Sequence, residues 1–172
     1  GVVNFIMEVA NLGFADAVAF LAKRAGIPVP DDGVPAETRS SRARMLALNQ
    51  DAARFFHSCL TKPEGEAAME YIRKRGISKQ MVTRFGLGCA PDSWDKLMSA
   101  MSALGYTQAE MLDAWLVSRS SKGGGIYDTF RNRLMFPVID VRGDVIGFSG
   151  RTLGDDTRKY VNSHDTLVYN KS

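Results

Sequence analysis

Residue types that build metal centres and nucleophilic active sites are scarce in this chain of 172 amino acids. It has two cysteines, Cys59 and Cys89, and two histidines, His57 and His164. The cysteines form no CxxC pair and lie in unrelated local contexts, and two histidines cannot assemble a histidine-rich metal site. The sequence therefore predicts no metal site, no disulfide framework and no histidine-activated nucleophile.

Membrane-spanning and targeting segments are missing as well. No apolar run reaches the ~18 residues that a bilayer requires, and no basic segment is followed by a signal-type apolar stretch. We therefore expect a cytoplasmic protein with no membrane partner. The chain also lacks an initiator methionine and begins in an amphipathic pattern, which predicts that it is a piece of a longer protein.

The common phosphate-binding loops are not found either. The glycines at 123 to 125 are not followed by Lys-Ser or Lys-Thr, so they form no P-loop, and the later glycines do not open a helix as a dinucleotide site requires. Four aspartates fall in turns or loops, where aspartate is common for conformational reasons, and we interpret them as structural rather than as magnesium ligands: Asp140, Asp144, Asp155 and Asp156.

What the chain does have is an apolar content of 45% and a formal charge of +3. At this length, such an apolar content is enough for one domain with a core. The charge is unevenly spread, because residues 33–84 hold ten Lys or Arg against five Asp or Glu. A solvated helical face is the common explanation of such a run, and a nucleic-acid surface is the alternative.

Helical periodicity dominates the first two thirds of the chain. Two short helices fit residues 2–25, and the proline-rich stretch 27–35 favours a loop. A long helix is predicted for residues 38–60, and a second starts at Pro63 and ends at Gly76. Further short helices are expected after N-caps at Ser78, at Ser93 and at Thr107, the last with Glu110 in a capping box.

After Trp115 the helical periodicity stops and glycine becomes frequent. Residues 116–118 and 125–127 flank a loop rich in serine and glycine, and residues 134–141 and 145–150 are apolar runs around a turn. Both pairs predict antiparallel hairpins. The expected fold class is therefore α+β, with a helical N-terminal part followed by a small, mainly antiparallel sheet.

Cationic side chains alternate with aromatic ones in the last third of the chain. Arginine and lysine neutralise phosphates and aromatic rings stack on bases, so this interleaving suits a nucleic-acid surface. A charged sheet rim is the structural alternative, and the residues alone leave it open. The series comprises Arg131, Arg133, Arg151, Arg158, Lys159 and Lys171, interleaved with Tyr127, Phe130, Tyr160 and Asn162.

Three short motifs in this part of the sequence are distinctive. FRNRLMFP, GFSGR and KYVNS occur in this order and resemble the segment of DnaG-type DNA primases that precedes their TOPRIM fold. Upstream, YIRKRGISKQMVTRFGLGCAPDSW is similar to the helical stretch of the same family, and residues 2–27 resemble the helices that follow its zinc ribbon. The resemblance covers nearly the whole chain. It implies a helical segment, 1–30, after an absent zinc-binding domain, and the N-terminal subdomain of the catalytic core, 31–172.

Primases of this family are DNA-directed RNA polymerases that make short RNA primers on single-stranded DNA for replication. The resemblance implies that this chain supplies template and nucleotide contacts, with Mg²⁺ or Mn²⁺ bound by a missing TOPRIM part and Zn²⁺ by a missing zinc-binding domain. The chain itself is then expected to hold no cofactor and to be a catalytically inactive monomer. The implied partners are single-stranded DNA, ribonucleoside triphosphates and the RNA–DNA primer duplex, with the replicative helicase bound through regions not present.

The resemblance also assigns residue roles. Family positions near the initiating nucleotide, which we class as catalytic, match Lys159, Tyr160 and Lys171. Family positions of the template groove match Arg75, Trp94, Arg131, Arg151 and Asn162, and Arg133 belongs to the same basic motif. Structural alternatives are that Trp94 is a core anchor, Tyr160 a sheet-packing ring and Arg75 a charge at a helix C-terminus.

One position departs from the family pattern. Thr129 stands where many relatives carry another arginine. If that arginine helps to hold the template, this chain would make fewer phosphate contacts or compensate for the loss elsewhere. Two further hypotheses stay open beside the polymerase. One is a non-catalytic single-stranded DNA-binding module of a mobile-element or phage primase-like protein, which would have no acidic TOPRIM start after Ser172. The other is a protein scaffold that uses the helix at 38–60 and has negligible DNA affinity.

Overall fold

The computed structural model describes residues 35–170, so the helical segment predicted for residues 1–30 and the side chain of Lys171 lie outside the described residues. The helices are α1 (Ala36–Cys59), α2 (Glu66–Lys74), α3 (Lys79–Phe85), α4 (Lys96–Ala103) and α5 (Gln108–Asp113). The strands are β1 (Gly88–Ala90), β2 (Val117–Arg119), β3 (Ile126–Asp128), β4 (Arg133–Ile139), β5 (Val145–Thr152) and β6 (Tyr160–Asn162). Among these residues no helix is both long and apolar enough to cross a membrane.

The long helix predicted for residues 38–60 is confirmed as α1, because its apolar residues recur at helical spacing. Leu48, Ala52, Phe56 and Cys59 are all buried, whereas the first turns of the helix are exposed. The next helix differs slightly from the prediction. Pro63 opens a single 3-10 turn, Pro63–Gly65, and α2 begins only at Glu66.

Two of the three predicted N-caps are confirmed. The Ser78 hydroxyl accepts from the Met81 N–H at 3.2 Å, and Thr107 with Glu110 forms a reciprocal capping box. The third differs from the prediction, because α4 starts at Lys96 and its N-cap residue is Asp95, although the Ser93 hydroxyl accepts from the Lys96 N–H at 3.2 Å. The carboxylate of Asp128 accepts from the backbone N–H groups of Leu97 and Met98, at 2.9 and 3.0 Å.

Four strands form one antiparallel sheet in the order β1-β4-β5-β6, and β2 pairs with β3 in a separate hairpin. Alternate side chains of β4 enter opposite cores: Met135 packs with Leu48 and Phe56 of α1, while Leu134 packs with Ile72 of α2. The α+β class is therefore confirmed. The strands β1 and β6 were not predicted, and they extend the predicted β4–β5 hairpin on both sides.

The register gives this sheet two distinct ends. At one end Arg133 pairs with both Ala90 and Thr152, and we call this the open end, because β1, β4, β5 and β6 all reach it. At the other end Ile139 pairs with Val145 next to the hairpin turn, and we call this the turn end. The segments that connect the strands at the open end carry most of the residues singled out from the sequence.

Candidate nucleic-acid interface

An exposed aromatic and cationic cluster lies at the open end. Trp94, in the loop after β1, keeps 64% of its surface exposed, so it is not a core anchor. The Arg131 guanidinium lies 4.1 Å from the centroid of the Trp94 ring and 5.0 Å from that of Tyr127. The two rings meet edge to face with centroids 5.5 Å apart. An open ring beside a fixed cation offers both a stacking surface for a base and a charge for a phosphate.

Asp128 holds this cluster in place from below. Its backbone N–H donates to the Trp94 carbonyl at 2.7 Å, and its own carbonyl accepts from Arg131 Nη1 at 2.5 Å. Its carboxylate is buried and caps α4, so loop, helix and strand are fastened at one residue. Burial raises the pKa of this carboxyl to about 6, and the two N–H groups that it accepts oppose the shift.

Arg133 is placed very differently from Arg131, although only one residue separates them. Asn132 has a left-handed φ of 51°, which breaks the strand alternation and turns Arg133 inward. Arg133 is 2% exposed and donates to the carbonyls of Gly150, Lys159 and Arg158 at 3.0, 3.2 and 3.0 Å. Its Nη2 also pairs with the Asp156 carboxylate at 2.9 Å. The guanidinium thus fastens the 153–159 loop to the sheet.

The electrostatics around Arg133 match this placement. Burial lowers the pKa of the guanidinium from its ordinary value, and the Asp156 carboxylate opposes that shift. The pKa of Asp156 is in turn lowered, first by the backbone N–H of Arg158 that donates to it. The prediction that Arg133 contacts nucleic acid stays a prediction, but all four of its acceptors in the structure belong to the protein.

A second cationic and aromatic cluster lies on the sheet face that packs against α2. The Arg151 Nε donates to the Tyr71 hydroxyl at 3.1 Å, and its guanidinium lies 5.3 Å from the ring centroid of Tyr160. The Arg75 guanidinium also belongs to this cluster, since it lies 5.3 Å from the ring centroid of Tyr71. Tyr160 also packs against the Leu134 core, so the sheet-packing alternative describes part of its environment.

The other predicted site residues lie nearby but make fewer contacts. Lys159 is exposed, and its carbonyl accepts from the Thr152 N–H at 2.8 Å and from Arg133. Asn162 is exposed on β6, paired with Ser149 and therefore farther from the open end than Tyr160. Most of the residues that the resemblance singles out therefore lie at one end of the sheet in the structure, and Asn162 lies at the margin of this group.

Thr129, the departure from the family pattern, has a structural role here. Its hydroxyl lies 2.7 Å from the Ser118 hydroxyl, and its N–H donates to the Leu116 carbonyl at 3.0 Å. Both contacts fasten the β2–β3 hairpin to the segment that carries Arg131. An arginine at this position has no hydroxyl and could not make this contact with Ser118.

Sequence reasoning gave no role to three residues of this region. Asp128 is buried on β3 and caps α4, which is about thirty residues away in sequence, and no local sequence pattern predicts such a contact. Tyr127 was noted only as an interleaved ring. Tyr71 had a usable signal, because it lies four residues before Arg75 on the same helical face.

Within residues 35–170, no three side chains of histidine, cysteine, aspartate or glutamate converge as metal ligands. The described residues therefore do not fit a divalent metal centre. Residues 55–172 match the family described as DNA primase catalytic core, N-terminal domain.

Curated and solved relatives agree with this match. A DNA primase of Clostridium acetobutylicum is 39% identical over 172 residues, an alignment that covers 99% of this chain and 28% of that protein. The RNA polymerase domain of Mycobacterium tuberculosis primase DnaG has a TM-score of 0.70 at 35% identity, covering 75% of this chain and 42% of that one. A DnaG primase catalytic domain bound to ssDNA has a TM-score of 0.69 at 35% identity, covering 79% and 43%.

The chain spans well under half the length of each of these relatives, so they extend beyond it. The family match nevertheless takes in well over half of the chain, including α2, the whole four-stranded sheet and both clusters of the open end. This chain therefore belongs to the family of N-terminal domains of the DNA primase catalytic core.

Proposed function

We propose that the open end of the sheet binds single-stranded DNA template during RNA primer synthesis. The observation that carries the proposal is the exposed Trp94 ring with the Arg131 guanidinium 4.1 Å from its centroid. Stacking of a base on an aromatic ring contributes about 1–3 kcal/mol and tolerates any base. Such a surface suits a primase, which must read along many different template sequences.

The second cluster extends the proposed path across the sheet. Arg151 and Arg75 both lie beside the Tyr71 ring, at 5.6 and 5.3 Å from its centroid. Arginine forks of this kind bind phosphate oxygens in pairs, so we assign these two residues to the template backbone. Asn162, at the margin, is assigned a hydrogen bond to a base edge or to the sugar–phosphate chain. Arg133 is assigned an indirect role, because its donors are already used inside the protein.

Lys159 and Tyr160 are proposed to contact the incoming nucleotide, together with Lys171. The Lys159 carbonyl accepts hydrogen bonds from Arg133 and from the Thr152 N–H, so the backbone that carries this exposed side chain is held in place. Phosphoryl transfer depends on positioning and on stabilisation of negative charge, which cations beside the phosphates supply. The divalent metals of the reaction are assigned to a part of the full-length protein outside residues 35–170.

Fluorescence anisotropy of a labelled single-stranded DNA oligonucleotide at several salt concentrations tests the template assignment. The double variant Arg131→Ala, Arg151→Ala should bind more weakly, and the slope of log K against log salt should fall by about 0.7 per lost phosphate contact. The double variant Arg54→Ala, Arg142→Ala is the matched control, because it removes the same number of charges at two exposed arginines near the turn end of the sheet. Equal slopes for all three proteins would show that the template lies elsewhere.

The same chain should make no RNA primer by itself. A template-dependent incorporation assay with labelled ribonucleoside triphosphates and Mg²⁺ or Mn²⁺ checks this point. Primer synthesis by the chain alone would contradict the assignment of the metals to another part of the protein.

Trp94→Ala separates a binding defect from misfolding, because the exposed ring contributes little to the core.

A further inference from the structure

A groove at the turn end of the sheet takes no part in the proposed template site. It lies between α1, the C-terminal end of α3 and the β4–β5 turn, and it has a volume of about 420 Å³. The residues that line it include Arg54 and His57 of α1, Arg84 of α3, and Pro137 and Ile139 of β4. We call it the turn groove. It is separated from the open end by the length of β4.

The floor of the turn groove is aliphatic and partly open to solvent. Pro137 and Val145 line it, and Ile139 keeps 43% of its surface exposed at the rim. Gly86 fits closely against the floor, since a Cβ at that position would lie 3.3 Å from Pro137 Cγ. An exposed isoleucine beside a proline is an apolar surface that association with another chain would bury.

The rim of the turn groove is cationic. The Arg54 side chain is 73% exposed, and its contact with Asp51 is a loose surface pair at 3.6 Å. The Arg84 guanidinium lies 5.8 Å from the Phe85 ring centroid. His57 is oriented by its Nδ1, 2.8 Å from the Leu87 carbonyl, which leaves the ring's other nitrogen for a second partner. Among the described residues, those that line the groove include two arginines and no aspartate or glutamate.

We propose that the turn groove binds an acidic peptide segment of a partner protein, with an apolar side chain on Pro137 and Ile139 and carboxylates on Arg54 and Arg84. Charge complementarity selects an acidic occupant, and the aliphatic floor selects a peptide over nucleic acid. Among the described residues that line the groove there is no phenylalanine, tyrosine or tryptophan on which a base could stack, whereas Trp94 at the open end is 64% exposed. The volume is that of a site for a few side chains rather than a folded domain.

Selection from a phage library of random short peptides on the immobilised chain tests this inference. The expected result is a set of peptides in which consecutive aspartates or glutamates adjoin leucine, isoleucine or phenylalanine. A labelled peptide from that set should lose about tenfold or more in affinity for the Arg54→Glu, Arg84→Glu variant. It should retain its affinity for Arg73→Glu, Arg119→Glu, which changes the net charge equally at arginines that do not line the groove.

Two further measurements exclude misfolding of the variant and a purely electrostatic attraction as explanations of a loss of peptide binding. The Arg54→Glu, Arg84→Glu variant should keep its circular dichroism spectrum and its affinity for single-stranded DNA, since the open end is intact. Ile139→Asp should abolish peptide binding with both arginines in place. The inference is overturned by a library that yields no acidic and apolar consensus, by selected peptides that bind the double variant unchanged, or by single-stranded DNA that displaces the peptide from the groove.

Discussion

Replacing Arg133 by alanine should destabilise the fold far more than it alters direct contacts with DNA. The guanidinium is 2% exposed and satisfies three carbonyl oxygens and one carboxylate. In the variant the Gly150 carbonyl loses its side-chain donor inside the sheet, at a cost of about 1–3 kcal/mol. The carbonyls of Lys159 and Arg158 lie in exposed segments, where water replaces the lost donor.

The volume vacated by the side chain adds to this loss. Gly150 leaves room for the Arg133 stem, because a Cβ there would lie 2.9 Å from Arg133 Cδ. Removing the stem leaves a void beside Met135 and Phe130, so we expect a total loss near the lower end of the ~3–5 kcal/mol seen when a buried ion pair is broken. The Asp156 carboxylate is partly exposed, so water can solvate it after Arg133 is removed, and this limits the loss of stability.

Urea unfolding followed by circular dichroism measures this quantity, with two control variants. Arg133→Lys keeps the charge but cannot reach four acceptors, so it should recover only part of the stability. Asp156→Ala should destabilise less than Arg133→Ala, because the carbonyl contacts survive. The reasoning is refuted if Arg133→Ala unfolds at the wild-type urea concentration while its DNA-binding salt slope falls by about 0.7, since Arg133 would then be a phosphate ligand.

Three further outcomes follow from the core and its caps. Burial holds the pKa of the Asp128 carboxyl at about 6, so its stabilising contribution is full below the ordinary carboxyl pKa and is lost as pH rises through about 6. Relative to Asp128→Asn, the wild-type free energy of unfolding, measured by urea titration, should therefore fall between pH 4 and pH 7 by roughly 1–3 kcal/mol. Gly88→Ala should lower that free energy by more than about 2 kcal/mol, because the new Cβ would lie 2.6 Å from the Phe56 backbone, and an unchanged urea midpoint would contradict the close packing. Burial raises the pKa of the Cys59 and Cys89 thiols to about 12 and about 11, so both should resist a thiol reagent in the folded chain and react in denaturant.

Local patterns predicted the elements that depend on local chemistry. The periodicity of α1, the turn between β4 and β5 and the capping box at Thr107 each involve residues close in sequence, and each is confirmed. The strands β1 and β6 have three residues each, too few to display an alternation. The strands β2 and β3 are equally short, but the serine- and glycine-rich loop between them marked a hairpin, and β1 and β6 adjoin no such loop. The cap expected at Ser93 is only part of what satisfies the start of α4, because its hydroxyl accepts from the Lys96 N–H while a carboxylate from β3 accepts from the next two N–H groups.

The candidate site was predictable in composition but not in geometry. The interleaved cations and rings indicated nucleic acid, and in the structure Arg131 lies beside Tyr127 of that series and beside Trp94, which the family resemblance had singled out. The sequence could not separate Arg131 from Arg133, which share one motif. The left-handed turn at Asn132 does so, and asparagine is among the residues that adopt this conformation most readily.

The three motifs that identify the family are neighbours in space as well as in order. Leu134 and Met135 of FRNRLMFP pair with Arg151 and Gly150 of GFSGR, and the latter strand pairs in turn with KYVNS. The Ser163 hydroxyl that ends KYVNS accepts from the Phe148 N–H at 2.8 Å. The glycines of GFSGR are fixed by packing, since a Cβ at Gly147 would lie 2.9 Å from the Tyr169 ring.

Much of what makes these motifs distinctive is therefore the scaffold of the sheet and not the surface that it presents. The sequence of a motif does not distinguish scaffold residues from residues of the DNA-binding surface, but the burial of each residue does. Gly150 and Arg133 lie inside and build the open end, whereas Trp94 and Arg131 reach its surface. Substitution of a buried motif residue should reduce DNA binding only in proportion to the loss of folded protein. Substitution of a surface residue should reduce binding at full stability, and this contrast is what distinguishes a template contact from its support.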